Sequence, residues 1–103
     1  MKPDYAEAHN NLGSLLQELG RLNEAEASYS QATALLPDYA EAHYNLGLTL
    51  QELGRLETAE ASYNHAIALK PDLAEAYSNL GLTLQELGRL DEAEARYRQA
   101  IAL

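Results

Sequence analysis

Three histidines are the side chains in this sequence best suited to binding a metal ion or transferring protons. His9 and His43 occur 34 residues apart, and His65 follows in the same unit as His43. A structural zinc site needs about four ligands and a catalytic one about three, with histidine and cysteine preferred. The sequence contains no cysteine, and the position four residues after His65 is Leu69. The pattern therefore predicts no metal site and favours a packing role for the rings of His9 and His43.

Carboxylates could act as general acids and bases, but their arrangement argues against this chemistry. Glu7, Glu18 and Glu26 recur at a constant 34-residue spacing, and Glu24 has a counterpart in the third unit. An acid–base pair needs two different environments that move the two pKa values apart, whereas recurring positions have recurring environments. The sequence also contains no nucleophile motif and no phosphate-binding glycine loop. We therefore predict a non-enzymatic protein that needs no cofactor.

The acidic composition limits the classes of partner. Sixteen Asp and Glu residues against seven Lys and Arg give a net charge of −9. Such a surface repels phosphate backbones, which argues against nucleic acid and favours neutral or basic protein partners over acidic ones. No apolar run approaches the roughly 18 residues of a membrane span, and no charged and then apolar leader opens the chain. We expect a soluble protein without membrane contact, with the cytoplasm as the default compartment.

An internal repeat determines the elements that carry these side chains. The heptapeptide LQELGRL occurs at 16–22, 50–56 and 84–90, and Pro3, Pro37 and Pro71 keep the same 34-residue step. Repeats of this length are typical of solenoids. The chain divides into units 3–36, 37–70 and 71–103, which we expect to form one domain. Such similar units fit either a recently duplicated natural array or an engineered repeat protein.

Each unit contains two amphipathic helical patterns separated by a glycine. In the middle unit, Asp38 followed by Glu41 predicts a capping box, after which apolar residues recur at steps of three and four. Gly54 predicts the end of the first helix, and Pro71 predicts the end of the second. We therefore predict an all-α fold with helices at 4–19, 22–36, 38–53, 56–69, 72–87 and 90–103.

A second glycine falls inside the first helix of each unit, where it costs about 1 kcal/mol relative to alanine. This cost is explained if the paired helix approaches closely at Gly13, Gly47 and Gly81. The expected contact points on the second helices are Ala25, Ala59 and Ala93.

At these offsets the sequence resembles the tetratricopeptide repeat family. The middle unit carries the family positions as His43, Leu46, Gly47, Leu50, Gly54, Ala59, Tyr63, Ala66 and Pro71, and the other units carry their equivalents. The departures are histidine for the usual tryptophan at 9 and 43, and leucine for tyrosine at 16, 50 and 84. The resemblance covers essentially the whole chain. It implies a right-handed solenoid of three antiparallel helical hairpins that serves as a protein–protein interaction scaffold.

In this family the first helix of each hairpin lines a concave groove that binds peptide segments. The positions that the alignment carries over are Glu7, Asn10, Asn11, Ser14, Gln17, Glu41, Tyr44, Asn45, Leu48, Gln51, Glu75, Ser78, Asn79, Leu82 and Gln85, with Glu18, Glu52 and Glu86 at the rim. Acidic chaperone tails are not expected partners, because a glutamate at position 75 would repel a carboxylate.

Asn11, Asn45 and Asn79 form a row at constant register along this groove. A primary amide offers one acceptor and two donors, so an evenly spaced row could hold the backbone of an extended peptide. The row is similar to the asparagine ladder in the repeat superhelix of the O-GlcNAc transferases. Alternatively, these asparagines make hydrogen bonds between helices, and the sequence leaves both roles open.

Neither end of the predicted solenoid carries a polar capping helix. Leu103 occupies the position of Leu69, so the chain reads as a piece of a longer array. The apolar positions at the two ends are complementary because their equivalents meet inside the array. An alternative function is therefore a structural module that stacks head-to-tail. The self-association faces would carry Tyr5, His9, Leu12 and Leu16 at one end, and Tyr97, Ala100 and Ile101 at the other.

Overall fold

The computed structural model describes residues 3–103, with side chains from Tyr5 onward. These residues form six α-helices and no strand, which confirms the predicted all-α solenoid of helical hairpins. The helices are α1 Pro3–Glu18, α2 Leu22–Leu35, α3 Ala40–Glu52, α4 Leu56–Leu69, α5 Ala74–Glu86 and α6 Leu90–Ala102.

Consecutive helices pair into hairpin 1 (α1 and α2), hairpin 2 (α3 and α4) and hairpin 3 (α5 and α6). The second helix of one hairpin packs on the first helix of the next, so α2–α3 forms the first junction and α4–α5 the second. Within residues 3–103, α1, α3 and α5 also touch their neighbours in that row, whereas α2, α4 and α6 do not touch one another. The first helices therefore line the inner face of an array that measures 40 × 25 × 18 Å.

The turn inside each hairpin depends on a glycine in the left-handed region. Gly54 has φ +79°, and Gly20 and Gly88 take the same conformation. The Gly54 N–H donates to the Gln51 carbonyl at 3.0 Å, and the Arg55 N–H donates to the Leu50 carbonyl at 2.9 Å. These two bonds form a Schellman motif, which satisfies the last carbonyls of α3 and reverses the chain. The predicted glycine stop is confirmed.

The predicted capping box at Asp38 and Glu41 is wrong. Helix α3 begins at Ala40, its N-cap is Tyr39, and no side chain caps it. The Tyr39 N–H donates to the Leu36 carbonyl at 3.1 Å, so Pro37 and Asp38 form the middle of a tight turn. Proline is favoured at the second position of such turns, and the turn takes up the residues that the capping box required.

The close approach at the mid-helix glycines is present, but its partner is tyrosine rather than the predicted alanine. A Cβ added at Gly47 would lie 2.6 Å from Tyr63 Cε1, and the three nearest atoms all belong to that ring. The same contact joins Gly13 to Tyr29 and Gly81 to Tyr97. Glycine is required at these positions because the tyrosine ring occupies the space of a side chain.

The core repeats one set of positions from hairpin to hairpin. In hairpin 2 it consists of Leu50, Ala59 and Tyr63, each at most 1% exposed. Leu80 of hairpin 3 joins this cluster, and Leu46 of hairpin 2 packs in the same way on the core of hairpin 1. Hairpins 1 and 2 therefore each present an apolar surface that a leucine of the next hairpin covers.

Within the described part of the chain, no helix combines the length and the apolar character needed to cross a lipid bilayer.

Candidate functional site

Two equivalent clefts open on the inner face, one at each junction. The first has a volume of about 420 Å³ and the second about 280 Å³. Glu41 lies between them and lines both. The first cleft is lined by Glu7, Asn10, Asn11, Leu36, Tyr39 and Glu41, and the second by Glu41, Tyr44, Asn45, Lys70, Leu73 and Glu75.

The linkers between hairpins supply lining residues that the sequence reasoning missed. Leu36 and Tyr39 flank the first cleft, and Lys70 and Leu73 occupy the same places at the second. Positions 36 and 70 differ between otherwise similar units, a signal in the sequence that could have found them. As a result, the second cleft contains one ammonium group among its carboxylates, whereas the first cleft contains none.

The asparagine row is partly engaged in the junctions. The Asn45 amide nitrogen donates to Asn10 Oδ1 at 3.1 Å, and the Asn79 amide nitrogen donates to Tyr44 Oη at 2.8 Å. Asn79 also donates to the Glu75 carbonyl at 2.9 Å, while Asn11 is exposed. Asn45 and Asn79 thus make hydrogen bonds between helices. Each keeps its amide oxygen for another partner, and Asn45 keeps one N–H as well.

The glutamines predicted for the groove connect neighbouring hairpins through hydrogen bonds. Tyr29 Oη donates to Gln17 Oε1 at 2.8 Å, and Gln17 Nε2 donates to Glu52 Oε1 at 2.7 Å. The same series of hydrogen bonds recurs at the second junction, where Tyr63 donates to Gln51 at 2.6 Å and Gln51 donates to Glu86 at 3.2 Å. These side chains bind the array together along the rim of the inner face.

The remaining predicted groove residues differ in accessibility. Asn10 is buried at 7% exposure, so only its edge reaches the first cleft. Half-buried positions are Gln17, Tyr44, Asn45, Leu48, Gln51 and Asn79. Exposed positions are Glu7, Asn11, Ser14, Glu41, Glu75, Ser78, Leu82 and Gln85. The predicted groove residues that line neither cleft are Ser14, Gln17, Leu48, Gln51, Ser78, Asn79, Leu82 and Gln85.

Burial and negative charge set the protonation of Tyr44 in the second cleft. Burial raises the pKa of its hydroxyl, and the nearby Glu75 carboxylate raises that pKa further. Tyr44 therefore keeps its proton at neutral pH and offers a hydroxyl that already accepts a hydrogen bond from Asn79. The cleft combines this hydroxyl, the amides and the carboxylates, a set suited to hydrogen-bond donors and cations.

Two histidines form a contact that the sequence did not predict. The rings of His43 and His65 lie 5.0 Å apart between centroids and are tilted by 46°. His43 Nε2 also lies 3.0 Å from the Pro37 carbonyl oxygen. Among the described residues no group of three or more His, Cys, Asp or Glu could hold a metal ion. His43 and His65 come together because they lie on the paired helices of one hairpin.

The two ends of the array expose apolar surface, with one correction to the predicted set. Leu16 is only 6% exposed because it packs on Ala25 and Tyr29 in its own hairpin, so it does not lie on an exposed face. Ile101, in contrast, is 84% exposed. At the first hairpin Tyr5 and Leu12 are exposed and His9 is half-buried, and at the last Tyr97 and Ala100 are half-buried. Leu15, Leu19 and Leu90 are exposed apolar residues that the prediction missed.

Comparison with protein families gives two matches. A tetratricopeptide repeat model matches residues 38–103, and a second model, described as TPR repeat, matches residues 18–54. A search of curated proteins gives no match.

Several solved structures share the fold. The chain is similar to MamA, with 32% identity and a TM-score of 0.93 over 98% of this chain. The chain spans 59% of the length of that MamA chain. It is also similar to the first TPR of Spaghetti (RPAP3), which was solved bound to the HSP90 peptide SRMEEVD. That similarity has 24% identity and a TM-score of 0.96, and it covers 99% of this chain and 81% of the Spaghetti chain. The Arabidopsis OM64 TPR domain gives 25% identity over 98% of this chain and 84% of that one, again with a TM-score of 0.96.

Proposed function

Because this chain belongs to the tetratricopeptide repeat family, we propose that it is a non-enzymatic interaction scaffold that binds a peptide segment along the inner face of α1, α3 and α5. The units 3–36, 37–70 and 71–103 would act together as one binding domain. The observation that carries this proposal is the pair of equivalent clefts on that face, which share Glu41 and are lined by equivalent positions of successive repeats.

The charge of the inner face favours a neutral or basic peptide. Glu7, Glu41 and Glu75 are exposed and stand at one position per hairpin. Two of them line each cleft, and Lys70 is the only Lys or Arg among the lining residues. A lysine or arginine side chain entering the first cleft would therefore meet two carboxylates without a competing cation. We propose this cleft as the preferred position for a basic side chain of the peptide.

The groove differs in charge from what an acidic tail requires. The Spaghetti TPR domain is solved with an acidic HSP90 peptide, and at 24% identity that likeness carries the fold alone. In the present chain Glu75 lines the second cleft beside Lys70. A carboxylate placed there would gain one favourable contact and meet repulsion from Glu41 and Glu75.

The asparagine row would add contacts that do not depend on the peptide's side chains. The amide oxygens of Asn45 and Asn79 are not used in the hydrogen bonds that these residues donate across the junctions. They could accept hydrogen bonds from the N–H groups of an extended backbone, while exposed Asn11 could both donate and accept.

The test is a binding titration with peptides of opposite charge. A lysine- and arginine-containing peptide library and its charge-inverted counterpart would be titrated against the protein by fluorescence anisotropy, with SRMEEVD as an acidic reference. We expect binding in the basic set and a clear loss of affinity when Glu7 and Glu41, the two carboxylates of the first cleft, are both changed to Gln. The double variant E57Q/D91N removes two exposed charges from the second helices and serves as the charge-matched control. Equal loss in both double variants, or preferential binding of the acidic set, would refute the groove assignment.

A second candidate function is a structural module that assembles head-to-tail. It is favoured by the 84% exposure of Ile101, because the equivalent Ile67 is half-buried against the core of the second junction. We propose that the first hairpin of one copy covers the last hairpin of another. Sedimentation velocity over a wide concentration range tests this directly, and a protein that stays monomeric up to millimolar concentration would exclude it.

A further inference from the structure

We propose that the head-to-tail contact uses the same register as the internal junctions, so that specific residues of hairpin 1 in one copy meet specific residues of hairpin 3 in the next. This inference rests on the assembly proposed above and specifies its contacts. Its evidence is that the pairs of side chains that join hairpins 1 and 2 recur between hairpins 2 and 3. A third set of the same residues is present, divided between the two ends.

The apolar part of the contact centres on Leu12. Its equivalents Leu46 and Leu80 each pack on the core of the preceding hairpin. Leu80 is 1% exposed, whereas Leu12 is 46% exposed. The surface that would receive Leu12 is an open pocket of about 450 Å³ on hairpin 3. It is lined by Gln85, Leu90, Ala93, Glu94, Tyr97, Arg98 and Ile101. Leu12 of an incoming copy would cover this pocket as Leu80 covers the equivalent surface of hairpin 2.

An ion pair crosses each internal junction at one position. Arg55 binds Glu26 at 2.9 Å, and Arg89 binds Glu60 at 2.8 Å. Stepping on by one repeat assigns the next pair to Arg21 of the incoming copy and Glu94 of the receiving copy. In a single copy Arg21 binds Glu24 in the helix that follows it, and Glu94 binds Arg98 on its own helix.

The local pair of Arg21 with Glu24 has a counterpart that coexists with a contact across a junction. Arg89 binds Glu60 across the junction and Glu92 within its own hairpin, the latter at 2.7 Å. Glu24 stands at the position equivalent to Glu92, and it binds Arg21 at 2.7 Å with the same three-residue spacing. Arg21 can therefore keep Glu24 while it binds Glu94, as Arg89 keeps Glu92 while it binds Glu60.

Two further hydrogen bonds complete the register. Gln17 donates to Glu52 and Gln51 donates to Glu86, which assigns Gln85 of the receiving copy to Glu18 of the incoming one. The Tyr97 hydroxyl already donates to Gln85 Oε1 at 3.0 Å, as the hydroxyls of Tyr29 and Tyr63 do to Gln17 and Gln51. The side-chain amide nitrogen of Gln85 is therefore the group that can donate to Glu18 of the next copy.

The second hydrogen bond assigns Asn11 of the incoming copy to Ser78 of the receiving copy. It follows the bonds that Asn45 makes to Asn10 and Asn79 makes to Tyr44. The two contact faces are different surfaces, so the contact is heterologous and copies would add in an open row rather than close as a symmetric dimer.

The test uses charge reversal at the predicted ion pair. The variants R21E and E94R each place like charges opposite one another at the contact, and we expect each alone to weaken association by about tenfold. In an equimolar mixture, the head of R21E meets the tail of E94R with opposite charges, and the reverse contact is also between opposite charges. Association should therefore return in the mixture and in the double variant R21E/E94R.

The measurement is sedimentation equilibrium at physiological ionic strength, where a Debye length of about 8 Å screens the general repulsion between copies of net charge −9. The variant E57R makes the same change of charge as E94R at an exposed site on α4 and should leave association unchanged. Far-UV circular dichroism establishes that every variant is folded. A wild-type protein that never associates would overturn assembly itself. Association that survives both reversals, or is not restored in the mixture, would overturn the register while leaving assembly intact.

Discussion

The two junctions join nearly the same sequence, yet the second buries more apolar surface than the first. Leu46 is half-buried on the core of hairpin 1, whereas its equivalent Leu80 is 1% exposed on the core of hairpin 2. At the second junction Tyr44 and Ile67 also pack around the cluster, and their equivalents at the first junction are Asn10 and Thr33. A few substitutions between repeats therefore change how firmly neighbouring hairpins are held.

The contacts within each hairpin vary less. A Cβ at Gly13, Gly47 or Gly81 would lie 2.7, 2.6 or 2.9 Å from the tyrosine ring of the same hairpin. In a solenoid, stability is approximately a sum of terms for each repeat and for each interface. The comparison indicates that the glycine–tyrosine contact is nearly the same in the three repeats, whereas the burial at the two interfaces differs.

Replacing the junction leucines tests the comparison with the largest expected effect. Leu80→Ala should lower the free energy of unfolding by about 2–5 kcal/mol, since it leaves a cavity in a closed core. Leu46→Ala should lower it by only about 1–2 kcal/mol, because that side chain keeps part of its surface in water. Urea unfolding followed by circular dichroism measures both values. Equal losses would show that the junctions are energetically alike despite their different burial.

The glycines test whether the hairpins themselves are equivalent. In an ordinary helix Gly→Ala stabilises by about 1 kcal/mol. At Gly47 the added methyl would overlap the buried ring of Tyr63, so Gly47→Ala should destabilise by about 1–3 kcal/mol. Gly13→Ala should have a similar effect, and Gly81→Ala a smaller one because Tyr97 is half-exposed and can move. Thermal and urea unfolding would measure the stability change of each variant. A Gly47→Ala variant that is more stable than the wild type would contradict the packing described.

Exchanging one pair of residues should shift stability from one junction to the other. Ile67→Thr should weaken the second junction by about 1 kcal/mol, and Thr33→Ile should strengthen the first by up to about 1 kcal/mol. Hydrogen exchange resolved by residue would report which hairpin opens first. We expect hairpin 1 to exchange faster in the wild type and the difference to shrink in the Thr33→Ile variant. A uniform exchange rate in the wild type would be inconsistent with unequal junctions.

Raising the pH above about 10 should produce the smallest and most gradual change in the free energy of unfolding. Burial raises the pKa of Tyr29 and Tyr63 above the ordinary tyrosine value of about 10. Their native-state protons are then held more tightly than in the unfolded chain, so this contribution to stability is complete below pH about 10 and declines as the pH rises above it. Tyrosinate absorbance and helicity, recorded together, should show ionisation of these two residues only with loss of helix. Tyr63→Phe should make stability fall less steeply with rising pH. An unchanged dependence of stability on pH would assign the alkaline unfolding to other groups.

Several elements could be predicted from the sequence because their causes are local. Helical periodicity and the glycines at 20, 54 and 88 located all six helix starts within two residues and all three hairpin turns. The capping box failed because Pro37 and Asp38 were recruited into a turn closed by Leu36 and Tyr39, a competition between two local motifs.

The candidate site was less accessible to sequence reasoning. Its first-helix residues followed from the family alignment, but the linker residues Lys70 and Leu73 entered the cleft through the stacking of hairpins. The role of Asn45 depended on its distance to Asn10, which lies 35 residues earlier in the chain. No local pattern reports such a distance.

The sequence by itself thus determined the repeating unit, since helix propensity, glycine conformation and apolar spacing act within a few residues. The tertiary structure decided which amides join hairpins, which tyrosine covers which glycine, and how deeply each leucine is buried. These properties depend on the angle and distance at which one hairpin meets the next. That geometry is fixed by packing of side chains about 34 residues apart, which the sequence lists but does not bring together.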